Sequence, residues 1–563
     1  MNILVGGAAG QGMDTIAYLL GKTLTREGYG VLTTKDYMSR VRGGHNFSLL
    51  RVEAETPWST ATTTEILVAL NEETYLLHRE KLVTTGRIVF DPDVFALPAS
   101  DEERGIAIQL GTLARAAGGR IMANTVATGA VLALLGLDLA EAARLLSDIF
   151  APVVAQQNTA ALQSGHDEAS RLCGTCFSLP LSPERRPKIF LDGNQALGMA
   201  ALASGCRFLS AYPMTPSTGI LSYLAGKQDE YDLVVEQAED EIAAINMALG
   251  ASFAGARAMT CTSGGGFALM GEGVSLAGIT ETPVVIVIAM RPGPATGLPT
   301  RTEQGDLNFV LHAGHGEFPR AVLCATHLED AFYRLNKAFD LAEKYQIPVL
   351  FLSDQYFADT AVAISPYDFT RLRYERYLAD TENLTRPYRR YLLTDDGLSP
   401  RALPGQFHGE VVLADSDEHD EDGHIIEDAA TRRLMVEKRL RRMESLATEM
   451  DEPELYGSPD PEILLVGWGS TYGILREATD TLQAHGHQAT LLHFSDLWPL
   501  PSATITRLLP RAGISFCAEN NATGQFSGLL RRETGLVVDH KILKYDGRPF
   551  TSSEIVQEVR KHV

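Results

Sequence analysis

The sequence predicts an α/β protein made of three α/β domains, and three observations carry that expectation. Near the start, a short β run from Ile3 to Val5 enters a glycine-rich turn, Gly6-Gly7-Ala8-Ala9-Gly10-Gln11-Gly12. A helical pattern follows from Met13 to about Glu27, with apolar positions three and four apart, which makes a βαβ opening. In the middle, Pro283 to Ala289 and Ile347 to Leu352 are continuous apolar runs, as parallel strands covered on both faces require. Toward the end, Glu462 to Gly467 reads as a strand entering a glycine turn, Thr471 to Gly486 as a helix and Gln488 to Phe494 as the next strand.

The first block closes its opening helix at Gly28 to Gly30, resumes as a strand at Val31-Leu32-Thr33-Thr34, and spans 1–177. A proline- and charge-containing linker, LSPERRP, follows. The second block begins at Lys188-Ile189-Phe190-Leu191 and spans 188–365, with a helix-like stretch from Asp240 to Ala254. Over 366–460 the composition changes to an extended acidic linker and helix. The run DSDEHDEDGHIIED has no apolar periodicity and reads as a solvated face or connector, and Thr431 to Met450 reads as a charged helix. A metal site from Asp417, Glu418, His419 and His424 would match no standard ligand spacing. The last domain, 461–563, adds a strand at Ile514 to Glu519 that leads into NNATGQ.

At 563 residues and about 150 residues per domain, the chain has room for three or four domains. A net charge of −22 argues against nonspecific binding to nucleic acid. No apolar run approaches the roughly 20 residues that span a bilayer, and the first residues lack the charged start of a signal peptide, so a cytoplasmic protein is expected. Six cysteines in so long a chain do not make a disulfide scaffold. Cys173 and Cys176 form one CxxC, read as a linker pair without metal; the rest are scattered. An iron–sulfur cluster needs four thiolates, so any cluster is expected on another chain.

Several residues stand out on physical grounds. Glu239, Asp240 and Glu241 open a helix-like segment, where acids also favour the N-terminus through the macrodipole. Thr215 lies between Pro213 and Pro216 in a loop stiffened by both prolines, with Ser217 and Thr218 beside it. Arg291 ends a buried-type strand, where ligands of parallel sheets bind, and a guanidinium there can hold a carboxylate with two hydrogen bonds. Ser263, Gly264, Gly265 and Gly266 follow another strand, and the glycines allow close backbone approach to a ligand or simply a tight turn. The GGAAGQG turn departs from a clean GxGxxG, which leaves NAD binding, with Asp36 as the ribose acid, a weak reading.

The strings YPMTPST (212–218), VVEQAEDEIAA (234–244), TCTSGGGFALM (260–270) and ETPVVIVIAMRPGPATGLPTRTEQGDL (281–307) resemble the pyrimidine-binding domain of 2-oxoacid:ferredoxin oxidoreductases. ENNATGQ and KYDGRPF resemble that family's second α domain, which is transketolase C-terminal-like, and GGAAGQG with SRVRGGHN resembles its γ domain. The resemblance covers nearly the whole chain apart from the linkers. It implies a γ-type domain, a thiamin-diphosphate pyrimidine-binding domain and a transketolase C-terminal-like domain.

The resemblance further implies oxidative decarboxylation of a 2-oxoacid with coenzyme A as acyl acceptor. It selects Glu241 as the carboxylate that acts on the cofactor's aminopyrimidine, with Glu236 and Glu239 as runners-up. It makes Thr215 and Arg291 the substrate-binding residues, and Pro213, Ser217, Ser263, Gly264 and Gly265 neighbours of the cofactor. Arg40, Arg42, Gly43 and Gly44 are candidates near coenzyme A, although packing between subunits fits them equally well. The diphosphate half of such a site shows GDG followed some way on by NN; Asn520-Asn521 has no such GDG before it, so no metal is expected on this chain. Mg²⁺ and a [4Fe-4S] cluster are expected on a β subunit, with ferredoxin as acceptor and an (αβ)₂ heterotetramer as assembly.

The fused γ–α order, VRGGHN and the SDEHDEDGHI run look most like the 2-oxoglutarate enzymes, with Arg301 and Arg291 as candidates for the second carboxylate. Pyruvate and branched-chain 2-oxoacids are the alternatives. An indolepyruvate-type enzyme would carry a cysteine-rich domain that is missing here, and a noncatalytic assembly scaffold is the reading outside enzymes.

Overall fold

The computed structural model describes residues 1–39, 43–180 and 186–563, and the chain divides into two compact units. The first comprises 1–192 with 359–367, and the second comprises 193–358 with 368–563. Among the described residues no helix is long and apolar enough to cross a membrane.

The first unit holds an eight-stranded sheet. In order across the sheet its strands are Gly105–Ala107, Leu82–Phe90, Thr64–Ala69, Asn2–Ala8, His45–Glu53, Gly30–Asp36, Ala361–Ile364 and Ile189–Asp192. The run at 188–191, read from sequence as the start of the middle block, therefore lies at this sheet's edge, antiparallel to Ala361–Ile364. Packing explains the placement: Phe190 lies over Gly21 of the helix Met13–Arg26, where an added Cβ would come within 2.5 Å of its ring. The glycine turn is closed by its own chain, since Gln11 accepts from the Ala8 N–H at 2.6 Å and from the Asn71 side chain at 3.1 Å. Gly12 has φ 81°, and an added Cβ there would strike the Asn124 side chain. Cys173, the last residue of the helix Pro152–Cys173, is disulfide-bonded to Cys176.

The second unit holds two sheets. The seven-stranded sheet runs Asp496–Trp498, Ala321–Cys324, Pro348–Asp354, Val284–Met290, Ala258–Thr262, Phe208–Ala211, Val234–Gln237, all parallel except for the first. Val284–Met290 and Pro348–Asp354 are buried along their whole length, as continuous apolar strands inside a covered sheet must be. The five-stranded sheet runs Glu454–Tyr456, Ala489–Phe494, Ile463–Trp468, Ile514–Glu519, His540–Leu543. Its core residues Trp468, Phe494 and Phe526 share one apolar cluster with Phe267, Ile286 and Ile288 of the larger sheet's layer.

The acidic run is an irregular, largely solvent-facing connector in which only His419 and Gly423 are buried, and the expected charged helix follows it, with several of its cations buried. The helix Ala429–Thr448 buries Lys438, Arg439 and Arg442. Lys438 Nζ lies 2.9 Å from Glu281 Oε1, Arg442 pairs with Glu281 Oε2, and Arg390 donates to the Glu281 carbonyl at 2.8 Å. Glu418 pairs with Arg432 and Arg439. His419 is fully buried, with ring nitrogens 3.1 Å from the Ile279 carbonyl and 2.9 Å from the Asp420 carbonyl. Glu418 and His419 are thereby committed to protein partners, which removes them from the metal set weighed above. Composition does not reveal the burial of Lys438 and Arg442 because their counter-charge, Glu281, lies far away in sequence.

Burial by itself would raise the Glu281 pKa, but Arg442, Lys438 and Arg390 more than offset it and hold the carboxyl well below the usual range. A group held down in the folded state contributes stability above its unfolded pKa of about 4.3 and loses it as pH falls. Glu281→Ala leaves three buried cations without their anion. It is expected to cost about 3–5 kcal/mol, read as a lower denaturant midpoint at neutral pH, with the gap to the wild type shrinking in acid. An unchanged midpoint would show that the network contributes nothing net.

Candidate functional site

Four adjacent parallel strands end on one edge of the seven-stranded sheet, and the loops leaving their carboxyl ends carry the residues singled out by sequence. Phe208–Ala211 leads to Pro213, Thr215 and Ser217, and Val234–Gln237 leads to Glu241. Ala258–Thr262 leads to Ser263 through Gly266, and Val284–Met290 leads to Arg291.

The three acids of the Glu239–Glu241 cluster separate clearly. Glu239 is exposed, as is Glu236. Asp240 caps the helix Glu241–Phe253 by accepting from the Ala243 N–H at 2.8 Å. Glu241, the first helical residue, is buried at 3% exposure, and its Oε1 has no hydrogen-bond partner. The capping work falls to Asp240, so the helix terminus does not account for Glu241. A buried carboxylate oxygen without a partner is costly wherever it occurs.

The glycine turn faces this carboxylate. A Cβ at Gly266 would lie 2.3 Å from Glu241 Oε1, and one at Gly264 would lie 2.2 Å from Asp306 Oδ2. Gly265 is exposed, and its nearest neighbour outside the turn is the Ala295 carbonyl. Ser263 is fully buried at the N-cap of the next helix, yet its hydroxyl also lacks a partner. Unpaired polar atoms on Glu241, Ser263 and Asp306 thus surround one turn that has no side chains of its own.

Arg291 Nη1 donates to the Thr215 carbonyl at 2.7 Å, its one hydrogen bond among the described residues. The arginine and the threonine loop are therefore brought together, through the backbone of Thr215. Ser217 donates its hydroxyl to the Met214 carbonyl at 2.8 Å and so closes its own loop. Burial lowers the Arg291 pKa, opposed by the charge of Asp306. Asp306 is pushed up to about 6 by burial, against the pull of Arg291. Glu303 is raised by burial and by Asp306. Nothing in spacing alone singled out Asp306; the available signal was an acid inside the TRTEQGDL string.

The two C-terminal strings hold the loop that carries these residues. Gln304 donates to the Trp468 carbonyl at 2.8 Å and accepts from the Asn520 N–H at 3.0 Å, while the Asn521 side chain donates to the Gln304 carbonyl at 3.2 Å. Gln525 donates to the Gly305 carbonyl at 2.7 Å and accepts from the Asn308 N–H at 2.8 Å. Asn520-Asn521 is thus a backbone clamp. Arg301 lies beside the KYDGRPF turn, where a Cβ at Gly547 would lie 3.1 Å from its own.

In the first unit, Gly43 and Gly44 both have left-handed φ values, 76° and 82°, and a Cβ at Gly44 would meet the Met38 sulfur at 2.7 Å. Arg40 and Arg42 lie outside the described residues.

Residues 199–438 match the family described as pyruvate flavodoxin/ferredoxin oxidoreductase, thiamine diphosphate-binding, and residues 2–168 match pyruvate ferredoxin/flavodoxin oxidoreductase. The 2-oxoacid:ferredoxin oxidoreductase subunit alpha of Sulfolobus sp is 32% identical over a 620-residue alignment that covers 99% of this chain and 96% of the relative. The 2-oxoglutarate oxidoreductase subunit KorA of Mycobacterium tuberculosis is 31% identical, covering 78% of this chain and 68% of the relative. A solved 2-oxoglutarate:ferredoxin oxidoreductase from Magnetococcus marinus, with 2-oxoglutarate, coenzyme A and succinyl-CoA bound, superposes with a TM-score of 0.92. It is 31% identical and covers 100% of this chain and 99% of that one. With both compact units, the strand-end loops and the full length matched in this way, the chain belongs to the 2-oxoacid:ferredoxin oxidoreductase α-subunit family.

Proposed function

We propose that this chain is the γ–α subunit of a 2-oxoglutarate:ferredoxin oxidoreductase. It works with a β subunit to convert 2-oxoglutarate and coenzyme A to succinyl-CoA and CO₂ with reduction of ferredoxin. The observation that carries the reading is the buried, unpartnered Oε1 of Glu241 facing a turn without side chains. Thiamin diphosphate, when bound, supplies a carbanion equivalent that attacks the keto carbon and retains its electrons. The residues present fit its pyrimidine end: Glu241 Oε1 can hold a proton against a ring nitrogen, Ser263 offers an unpaired hydroxyl, and Gly265 leaves open space for a flat ring beside Gly264, which Asp306 covers. Pro213 and Ser217 shape the facing loop.

Arg291 would hold the substrate carboxylate with its remaining N–H groups, beside Thr215, and Arg301 would serve the distal carboxylate of 2-oxoglutarate. The choice of 2-oxoglutarate rests on the full-length likeness to the Magnetococcus enzyme and on the KorA relatives. Pyruvate and branched-chain 2-oxoacids are the alternative substrates. The γ-type region with Gly43 and Gly44, together with Arg40 and Arg42, would contribute to the coenzyme A site.

Mg²⁺ and the [4Fe-4S] cluster belong to the β subunit in this reading, in an (αβ)₂ assembly in the cytoplasm. Support for a partner comes from the helix after Glu241, where Ile242 and Met247 are exposed, and from Leu269 nearby. Ile242, Asn246 and Leu269 line an open cavity of about 680 Å³. Exposed apolar side chains gathered on one surface mark a place that another chain covers.

Glu241→Ala in the assembled complex is expected to lower kcat about 10²–10⁴-fold, measured as 2-oxoacid-dependent ferredoxin reduction; a mere assembly scaffold would tolerate it. Arg291→Ala is expected to raise KM for the oxoacid about ten- to a hundredfold, the worth of a hydrogen bond to a charged group. Arg301→Ala should raise KM for 2-oxoglutarate and spare pyruvate; equal losses for both would remove its distal-carboxylate role. Gly266→Ala should weaken thiamin diphosphate binding, measured by titration of the assembled complex, because the new methyl meets both Thr262 Oγ1 and Glu241 Oε1. Full activity from this polypeptide without a β subunit would contradict the division of the site between chains.

A further inference from the structure

Asp306 occupies the N-cap position of the helix Leu307–His312, where an aspartate ordinarily accepts a hydrogen bond from the first turn, yet its side chain caps nothing. Its Oδ2 is buried without a partner and lies so close to Gly264 that no other residue fits there. The elements packed around it present few charges. Arg291 comes from the end of the central strand, Glu303 from its own segment, and Glu241 lies across the glycine turn. The helix Gln525–Thr534 presents the neutral Gln525. Gln304 and Gln525 fix the backbone on both sides of Asp306, so it cannot swing out to solvent without breaking that clamp.

We propose that Asp306 is a proton-accepting positioning residue for the oxoacid: as an anion it balances Arg291 in the empty site, and when a substrate carboxylate takes Arg291 it picks up one proton from solvent at Oδ2. The proposal rests on the reading of Arg291 as the carboxylate-binding group. The charge balance favours such a step. One guanidinium cannot neutralise both a ligand carboxylate and a buried aspartate, and a second anion in a buried site raises the proton affinity of the first. Arg291 already stops burial from raising Asp306 further, and a competing anion removes that restraint. The protonated carboxyl also gains a donor in a turn whose unpaired groups are a hydroxyl and carboxylates.

Because a proton is taken up on binding, affinity falls as pH rises between the two pKa values, by up to about tenfold per pH unit. The test uses the assembled holoenzyme. Glutarate, which keeps both carboxylates and lacks the reacting carbonyl, is titrated calorimetrically at about pH 7 in buffers of different ionisation enthalpy, and KM for 2-oxoglutarate is followed from about pH 5 to 8. The expected results are uptake approaching one proton per site and a KM that climbs with pH. Asp306→Asn should abolish both the uptake and the slope, and Glu303→Gln should keep them. Glutarate binding to the wild type without proton uptake overturns the proposal, as does an undiminished slope in Asp306→Asn. If Arg291→Ala left oxoacid and glutarate affinity unaltered, the failure would lie in the assignment of Arg291.

Discussion

A carboxylate oxygen removed from water and given no partner is the constraint around which the second unit is built. The same unit shows how readily this fold satisfies buried acids. Glu281 is met by Lys438, Arg442 and Arg390, and Glu343 by Arg401 and Arg376. Glu519 accepts from the backbone of Phe526 and Ser527 and from the Asn521 side chain. Against that background, Glu241 Oε1 is left unpaired, as is Asp306 Oδ2 across the same glycines, and both fall at the carboxyl end of a parallel sheet. Exceptions of this kind concentrate where a ligand completes the hydrogen bonding.

The surroundings keep that exception in place. Asp240 takes the capping role, so the Glu241 helix starts firmly without drawing on Glu241. The glycines opposite remove the atoms that would otherwise fill the space. The loop from Arg291 to Asp306 is long and rich in proline and glycine, and it would wander if untethered. The C-terminal sheet, through Asn520, Asn521, Gln525 and the Gly547 turn, fixes its far half. The five-stranded sheet's layer therefore acts on the site by holding a loop, and its pair of asparagines is used up in that task.

Much of this was legible in the sequence where the signal is local. The buried strands at Pro283–Ala289 and Ile347–Leu352, and the helix at Asp240–Ala254, appear within a residue or two of the expected bounds, as continuous apolar runs and alanine-rich spacing dictate. The strand-end positions of Ser263 and Arg291 were equally readable. Long-range pairing was not. The 188–191 run joins the first unit's sheet because of Phe190 over Gly21, a contact invisible to periodicity. The charged helix at Ala429–Thr448 buries Lys438 and Arg442 because Glu281, more than 150 positions earlier, supplies the counter-charge. Among the three acids at 239–241, only burial separates the cap from the unpaired carboxylate. Asp306 went unnoticed because its significance is a missing hydrogen bond, which no residue pattern records.

The central claim is that Glu241 Oε1 is held open for a pyrimidine nitrogen. The most direct measurement is a high-resolution structure of the chain assembled with its β subunit and thiamin diphosphate. The account predicts Glu241 Oε1 within hydrogen-bond distance of a ring nitrogen, the ring lying beside Gly265, and the diphosphate held by the other polypeptide. A pocket filled by side chains of either subunit, or Glu241 paired with protein instead, would contradict it.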